Sequence, residues 1–270
     1  MINASCFSLK LRGVALRVAL SVVLLVALAL LQPLSAGAEG PAVPAYGVYA
    51  QARRGGLVAI PADVIFERCA DAVFLIETFD SDGSTIRTGS GFFISDTGLA
   101  LTNLHVLDYA TEAEITLYNG EVYPLKGVHA KSEEANLAVI SIDSDKGGWP
   151  YLTFADSDLI ETGNTVYVVG SPLGYIGTMT AGIISTTSRV VDEQSLIQFT
   201  APISFGSGGS PLLNTQGQVI GLTSSSYSYG QHLNLAVPVN PLREMPEGEC
   251  VALSELGEYA ELGEPAAPID

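Results

Sequence analysis

The sequence predicts an all-β protein, because two of its patterns are typical of β-barrels and β-sandwiches. After residue 72 the periodicity of a helix is absent, and short apolar or alternating runs take its place. Turn-forming segments separate these runs, as at Asp80-Ser81-Asp82-Gly83, Asn119-Gly120 and Asn214-Thr215-Gln216-Gly217. Many short strands at this spacing indicate a barrel or a sandwich.

A short helix is predicted ahead of the strands, within Pro61 to Ala72. Pro61 suits the first turn of a helix, and Asp63 suits the positive end of the helix dipole. The predicted strands are Ala72 to Thr78, Ile86 to Ser95, Leu99 to Asn103, Glu114 to Tyr118, Leu137 to Asp143, Thr165 to Gly170, Met179 to Thr187, Ser195 to Thr200, Gln218 to Ser224 and Leu233 to Val237.

The first 38 residues have the layout of a secretory signal peptide. Lys10, Arg12 and Arg17 precede a 14-residue apolar run, Val18 to Leu31, and Ala36-Gly37-Ala38 provides a small-residue cleavage site. The run is shorter than the roughly 20 residues that a membrane-spanning helix needs, and a retained anchor is the alternative. We therefore expect a secreted or periplasmic protein whose mature chain does not span a membrane.

The charge of the chain is strongly acidic. Its 12 basic and 29 acidic residues give a net charge of −17. Three basic residues and no acidic ones lie in the predicted signal peptide, so the mature chain has nine basic and 29 acidic residues, a charge of −20. This balance disfavours nucleic acid and anionic lipid as partners.

Two cysteines, Cys69 and Cys250, remain after removal of the signal peptide. In an oxidising compartment an even count indicates a disulfide, which here would join the C-terminal tail to the start of the globular region. Two free thiols are the alternative. The cysteine spacing does not resemble a metal site, and we expect neither a metal nor an organic cofactor.

Three parts of the chain contain motifs that point to one family: Gly89 to Val106, Ala135 to Ile140 and Pro202 to Leu212. Together they resemble the trypsin-like serine peptidases, and specifically their bacterial HtrA/Deg branch. Gly89 to Ser95 and Gly98 to Val106 resemble the strand, turn and strand that deliver the catalytic histidine, which places His105 at the general-base position. Ala135 to Ile140 is similar to the segment that supplies the orienting aspartate, and Pro202 to Leu212 is similar to the nucleophile loop. The resemblance covers about residues 62 to 240 and implies two six-stranded antiparallel β-barrels with a cleft between them.

Two of the three triad positions depart from the family pattern. Asn136 stands at the aspartate position, and in chymotrypsin-type enzymes this change costs about 10⁴ in kcat. Gly208 stands at the nucleophile position when Gly206, Gly209 and Pro211 are matched to the loop without a gap. Glycine has no atom that can attack a carbonyl, so covalent catalysis at residue 208 is excluded.

Neighbouring groups complete the expected site. Ser207 is the possible substitute nucleophile, although using it requires a one-residue slip of the loop; Ser210 is the other hydroxyl nearby. The backbone N–H groups of Gly206 and Gly208 are the expected oxyanion hole. The strand end at Ser224, Ser225 and Ser226 is the expected peptide-binding edge.

These observations support three hypotheses, and the sequence leaves it uncertain whether the chain is an enzyme. The first is an exported, catalytically impaired or inactive protease homologue that binds an extended peptide or protein in the cleft. The second is an active serine endopeptidase that uses Ser207 with His105, and the third is a structural envelope protein. Oligomeric state is not predicted. The expected organisation is a signal peptide over 1–38, a linker over 39–58, an N-terminal barrel over 59–150, a C-terminal barrel over 151–243 and an acidic, partly ordered tail over 244–270.

Overall fold

The computed structural model describes residues 48–49, 59–191, 193–224, 233–245 and 248–256. These residues belong to one compact unit that spans Pro44–Asp270. The predicted signal peptide, most of the predicted linker, and Ser225 and Ser226 lie outside the described residues. In the part of the chain that is described, no helix is long and apolar enough to cross a membrane.

The described residues contain one α-helix and fourteen strands. The helix α1 is Ala62–Cys69. The strands are β1 Val48–Tyr49, β2 Val73–Phe79, β3 Thr85–Phe93, β4 Leu99–Asn103, β5 Glu112–Leu117, β6 Val122–Ser132, β7 Leu137–Ile142, β8 Thr153–Phe154, β9 Thr165–Gly170, β10 Thr178–Val191, β11 Gln194–Phe199, β12 Pro211–Leu213, β13 Val219–Ser224 and β14 Asn234–Pro238.

The first barrel is a closed, antiparallel ring of six strands in the order β2-β3-β4-β7-β6-β5. Its interior is filled by apolar side chains from alternate strand positions, as β-barrel geometry requires. Phe74, Phe93 and Ile140 are among the fully buried members of this cluster, and Trp149 packs on Phe93 with ring centroids 4.9 Å apart.

The second barrel contains six strands in the order β13-β12-β9-β10-β11-β14, and the pairing of β13 with β14 closes it. Val168, Ile197, Phe199 and Leu212 lie in its core. The short strand β8 adds to β13 in parallel, and β1 adds to β8 in parallel. The prediction of two six-stranded antiparallel barrels is therefore confirmed.

Helix α1 and its neighbours help to bury a third apolar cluster. Ile65 and Cys69, four residues apart, lie on one face of the helix and are buried. The same cluster contains Phe92 from the first barrel and Leu222 and Val237 from the second. The two barrels thus share a common apolar core, which fixes one barrel against the other.

Four described strands were not predicted: β6 and β12 within the barrels, and β1 and β8 beside the second barrel. Strand β6 contains Pro124 and Gly127 and has two register irregularities in its pairing with β7, which disturb the alternation that identifies a strand. Strands β8 and β12 have two and three residues and are too short for a periodic signal. The predicted helix is present as α1 followed by a 3₁₀ turn, Ala70–Ala72.

The described part of the tail, residues 248–256, returns to the first barrel. Val251 and Val128 exchange two backbone hydrogen bonds of 2.8 and 2.9 Å. Leu253 is buried in the core of that barrel. This stretch of the acidic tail is therefore ordered.

The structure corrects the expected disulfide, because Cys69 and Cys250 are both free thiols. Cys69 is buried in α1, and its Sγ lies 3.8 Å from the carbonyl oxygen of Gly217. Burial raises the pKa of the Cys69 thiol to about 11. Cys250 is exposed on the first barrel, with its Sγ 3.8 Å from Ser141 Oγ. The buried thiol of Cys69 therefore packs as a small apolar group.

Candidate functional site

His105 follows the end of strand β4, in the 3₁₀ turn Leu104–Leu107. Strand β4 is buried on both faces. It pairs with β7, and its last residue, Asn103, lies opposite Leu137. The imidazole of His105 is half-buried at this strand end. The barrel thus presents the ring at its rim, where a rigid strand delivers it to the protein surface.

Asn136 is fastened to the same strand end through its backbone. Its carbonyl oxygen accepts the N–H of Leu104 and the Nδ2–H of Asn103, both at 3.1 Å. Asn136 itself has a left-handed backbone with φ 50°, a conformation that Asn and Asp tolerate better than most residues. These bonds hold the Asn136 side chain, which is 3% exposed, against His105.

The orientation of the Asn136 amide determines which nitrogen of His105 carries the proton. The backbone N–H of His105 donates to Asn136 Oδ1 at 3.0 Å, so the amide oxygen faces that N–H. Asn136 Nδ2 then lies 2.9 Å from His105 Nδ1, whereas Oδ1 lies 3.2 Å from it. An amide N–H can only donate, so Nδ1 accepts and the ring proton resides on Nε2.

Burial of the ring also disfavours its charged form. Desolvation lowers the pKa of His105 to about 4, and the positive charge of Arg87 acts in the same direction. The contact of the ring nitrogen Nδ1 with Asn136 Oδ1 opposes this shift, but burial outweighs it. At neutral pH His105 is therefore an uncharged imidazole whose Nε2–H is a donor.

The loop that contains Gly206 and Gly208 is clamped by Ser90 of strand β3. Ser90 Oγ donates to the carbonyl oxygen of Gly206 at 2.8 Å and accepts the N–H of Ser171 at 3.0 Å. The Ser90 N–H donates to the carbonyl oxygen of Gly208 at 2.7 Å. Since β3 belongs to the first barrel and the loop to the second, Ser90 connects the two halves of the site.

Two further anchors orient the peptide units of this loop. The carbonyl oxygen of Phe205 accepts the N–H of Leu173 at 2.8 Å. The carbonyl oxygen of Ser207 accepts the N–H of Ser210 at 3.1 Å and the hydroxyl of Thr223. Every described peptide bond is trans, so the N–H that follows each carbonyl points to the opposite side.

The two N–H groups oriented in this way belong to Gly206 and Gly208. Among the described residues, neither donates to a hydrogen-bond acceptor. Buried N–H groups are normally paired, and both glycines are buried. Two oriented, unpaired backbone donors two residues apart are suited to a negatively charged or strongly polarised oxygen.

The loop has three glycines. The backbone conformation requires glycine at positions 206 and 209 but not at position 208. Gly206 and Gly209 have φ angles of 84° and 86°. A Cβ on Gly206 would lie 2.9 Å from the carbonyl oxygen of Ser171, and one on Gly209 would overlap the carbonyl oxygen of Ser90. Gly208 is not among the described glycines with positive φ, so its backbone conformation is open to residues with side chains.

The hydroxyl groups nearest the loop do not reach the imidazole. Ser207 is 3% exposed, and its Oγ accepts the N–H of Ser204 at 3.2 Å. Ser210 is fully buried and faces the backbone of Gly170. Within the described ranges, His105 makes no hydrogen bond to either serine, and Nε2 has no partner.

The predicted peptide edge is described only at its first residue. Ser224 ends strand β13, where it pairs with Leu235 of β14. Its side chain is fully buried, and its Oγ has no hydrogen-bond partner within the described residues. Ser225 and Ser226 are outside the described part of the chain.

The structure therefore brings His105 and Asn136 into direct contact, and it joins the Gly206 to Ser210 loop to the same barrel through Ser90. The hydrogen bonds of Ser90 and Thr223 to this loop are not evident from the sequence, because their partners are 116 and 16 residues away along the chain. The serine between two glycines was the available signal for Ser90. In the described part of the chain, no group of three or more His, Cys, Asp or Glu side chains could hold a metal ion.

Comparison with known proteins agrees with this geometry. Residues 89–222 match the trypsin-like peptidase domain family. The chain is 39% identical over 144 residues to a probable periplasmic serine endoprotease DegP-like of Chlamydia trachomatis, which covers 52% of this chain and 28% of that protein. It is 34% identical over 195 residues to serine protease HTRA1A of Danio rerio, covering 68% of this chain and 40% of that protein.

A solved structure shares the arrangement of the barrels. The "HtrA-type protease AlgWS227A with tripeptide" superimposes with a TM-score of 0.62 at 29% identity, covering 68% of this chain and 62% of that chain. The chain spans less than half the length of the curated relatives named above. The similarity thus concerns the two-barrel domain.

Proposed function

Because the chain belongs to the trypsin-like serine peptidases, in the branch of the HtrA and DegP proteases, we propose that it binds an extended polypeptide between its barrels and does not cleave it. The observation that carries this proposal is the glycine at position 208. A serine peptidase needs an oxygen within hydrogen-bond reach of the general base. Gly208 has no side chain, and among the described residues the imidazole of His105 makes hydrogen bonds only with Asn136.

The state of His105 gives independent support. A general base must accept a proton on the nitrogen that faces the nucleophile. With Nδ1 accepting from Asn136 Nδ2, the proton occupies Nε2, the nitrogen that would have to accept. The histidine is therefore held in the tautomer that cannot activate a hydroxyl.

The remaining architecture favours a ligand over a purely structural role. The loop from Gly206 to Ser210 is held by bonds from Ser90, Leu173 and Thr223, which keep two backbone N–H groups directed away from the protein's own acceptors. Unpaired buried donors reduce stability. Their retention is explained when a ligand oxygen occupies the site.

The active alternative requires Ser207 to turn toward His105. Ser207 Oγ instead accepts the N–H of Ser204. Its carbonyl group is also fixed by Thr223 and Ser210, so a slip of the loop would break these bonds together. We therefore favour binding without cleavage.

Export to the periplasm or beyond is part of the proposal. The positively charged start, the apolar run and the small-residue site support it. The Chlamydia trachomatis relative is named as periplasmic.

Restoration of the two missing groups tests the proposal. The double substitution Gly208→Ser with Asn136→Asp supplies a nucleophile and an orienting carboxylate, and Asp tolerates the left-handed backbone at position 136. If the cleft binds polypeptide, this variant should cleave unfolded casein while the wild-type protein does not. A folded double variant that neither binds nor cleaves casein would favour the structural role.

A further inference from the structure

We infer that the ligand group recognised at the centre of the cleft is the free C-terminal carboxylate of a peptide. This inference rests on the proposed function and specifies which part of a polypeptide the site takes. It follows from three donors, one vacant side-chain position and the local charge.

The first two donors are the N–H groups of Gly206 and Gly208. Both are buried, and their directions are set by the anchored carbonyl groups of Phe205 and Ser207. A pair of oriented backbone N–H groups stabilises a full negative charge better than a neutral carbonyl, since hydrogen bonds to an ionised acceptor are roughly twice as strong. Capture of C-terminal carboxylates by such backbone concavities is a recurrent recognition mode.

The third donor is the Nε2–H of His105. The His105–Asn136 contact places the ring proton on Nε2, which has no acceptor within the described residues. A carboxylate has two oxygens, so one can face the backbone pair while the other accepts from the imidazole. A peptide bond in the middle of a chain offers only one oxygen and cannot satisfy all three donors.

The glycine at position 208 leaves the space between these donors free of a side chain. Gly206 and Gly209 are required by their positive φ angles and close contacts, but Gly208 does not have a positive φ. A positive φ therefore does not account for the glycine at this position.

The acidic surface does not prevent anion binding here, because the cationic side chain of Arg87 acts on His105. Arg87 lies close enough to His105 and Asp108 to lower the pKa of both groups, although burial is the largest influence on each and raises the pKa of Asp108. Short-range hydrogen bonds from fixed donors outweigh a diffuse surface charge that salt screens within about 10 Å.

Binding of matched peptide libraries to the wild-type protein tests the inference. The probes are two random-sequence heptapeptide libraries that are identical except that one ends in a free carboxylate and the other in a carboxamide. We expect the acid library to be retained about tenfold or more over the amide library, and to shift the ¹⁵N amide resonances of Gly206 and Gly208. Equal retention of both libraries would overturn the inference while leaving peptide binding intact, and retention of neither would overturn the proposed function as well.

A pair of glycine substitutions provides the control. Gly208→Val fills the vacant position and should abolish the preference for the acid library. Gly147→Val adds the same side chain at a glycine with open space and no positive φ, and should preserve the preference. An acid preference that survives Gly208→Val in a folded protein would also contradict the inference.

Discussion

The backbone N–H of His105 donates to the side-chain oxygen of Asn136 at 3.0 Å, and this bond turns the amide nitrogen toward the imidazole. An aspartate has no amide nitrogen and offers only acceptors. The same backbone bond can therefore form with aspartate while the ring nitrogen Nδ1 becomes a donor. One substitution changes the tautomer of the histidine without changing the path of the chain.

Asn136→Asp should raise the pKa of His105 from about 4 by at least one unit. The new carboxylate stabilises the imidazolium and accepts a proton from Nδ1. Histidine ring resonances followed by NMR between pH 3 and 8 measure the change. The control is Asn119→Asp in an exposed turn. Asn119 Oδ1 accepts the N–H of Glu121, and an aspartate oxygen can accept the same N–H. An unchanged titration of His105 in Asn136→Asp would contradict the assigned contact.

Stability should fall as the pH is lowered from about 6.5 to about 4, because of His105. Burial lowers the pKa of this ring to about 4 in the folded protein, whereas the unfolded chain takes up the proton near 6.5. Between these values the unfolded state binds more protons, so acidification favours unfolding. Urea unfolding at intervals of pH should show a steeper loss for the wild type than for His105→Gln. Parallel curves for the two proteins would show that the ring does not titrate as expected.

Ser90→Ala should destabilise the protein by about 2–4 kcal/mol, because it removes a buried hydroxyl that makes two hydrogen bonds. The carbonyl of Gly206 and the N–H of Ser171 would both lose their partner. Chemical denaturation gives the change in unfolding free energy. Ser188→Ala, which removes an exposed hydroxyl bonded to Ser195, should change stability by less than about 0.5 kcal/mol. Equal changes in unfolding free energy for the two substitutions would contradict the role of Ser90 in holding the loop.

The glycines of the loop should respond differently to alanine. Gly209→Ala introduces a Cβ at φ 86° and into the carbonyl oxygen of Ser90, so we expect a loss of about 3 kcal/mol or more. Gly208→Ala has no unfavourable φ and should cost about 1 kcal/mol or less. Thermal unfolding of the two variants compares them directly. A large loss in Gly208→Ala would mean that glycine is needed there for folding, which would remove one argument for carboxylate binding.

The sequence was sufficient to predict the fold but not the contacts that shape the site. The strands with clear alternation or continuous apolar runs were predicted, whereas the roles of His105, Asn136 and Gly208 stay predictions. Strand β6 was missed because its proline, its glycine and its bulges interrupt the pattern. The alternation of apolar and polar residues is a local pattern, whereas β6 is held by its pairing with the strands β5 and β7. The local pattern therefore does not reveal this strand.

The remaining differences depend on contacts between distant residues. The clamp between Ser90 and Gly206, and the amide orientation at Asn136, are set by backbone groups that no sequence pattern specifies. The disulfide was inferred from an even count of cysteines, but Cys69 faces the core beside Gly217 and Cys250 lies against Ser141. An even number of cysteines does not show that any two of them lie close enough to form a disulfide.

The most direct test of binding without cleavage is labelling of the wild-type protein with a fluorophosphonate probe, followed by mass spectrometry of its peptides. The probe reacts covalently with serines that a histidine activates. We expect no labelled serine in the wild type and labelling at position 208 in the double variant Gly208→Ser, Asn136→Asp. Labelling of the wild type at Ser207, abolished by Ser207→Ala, would contradict the account and establish an active peptidase.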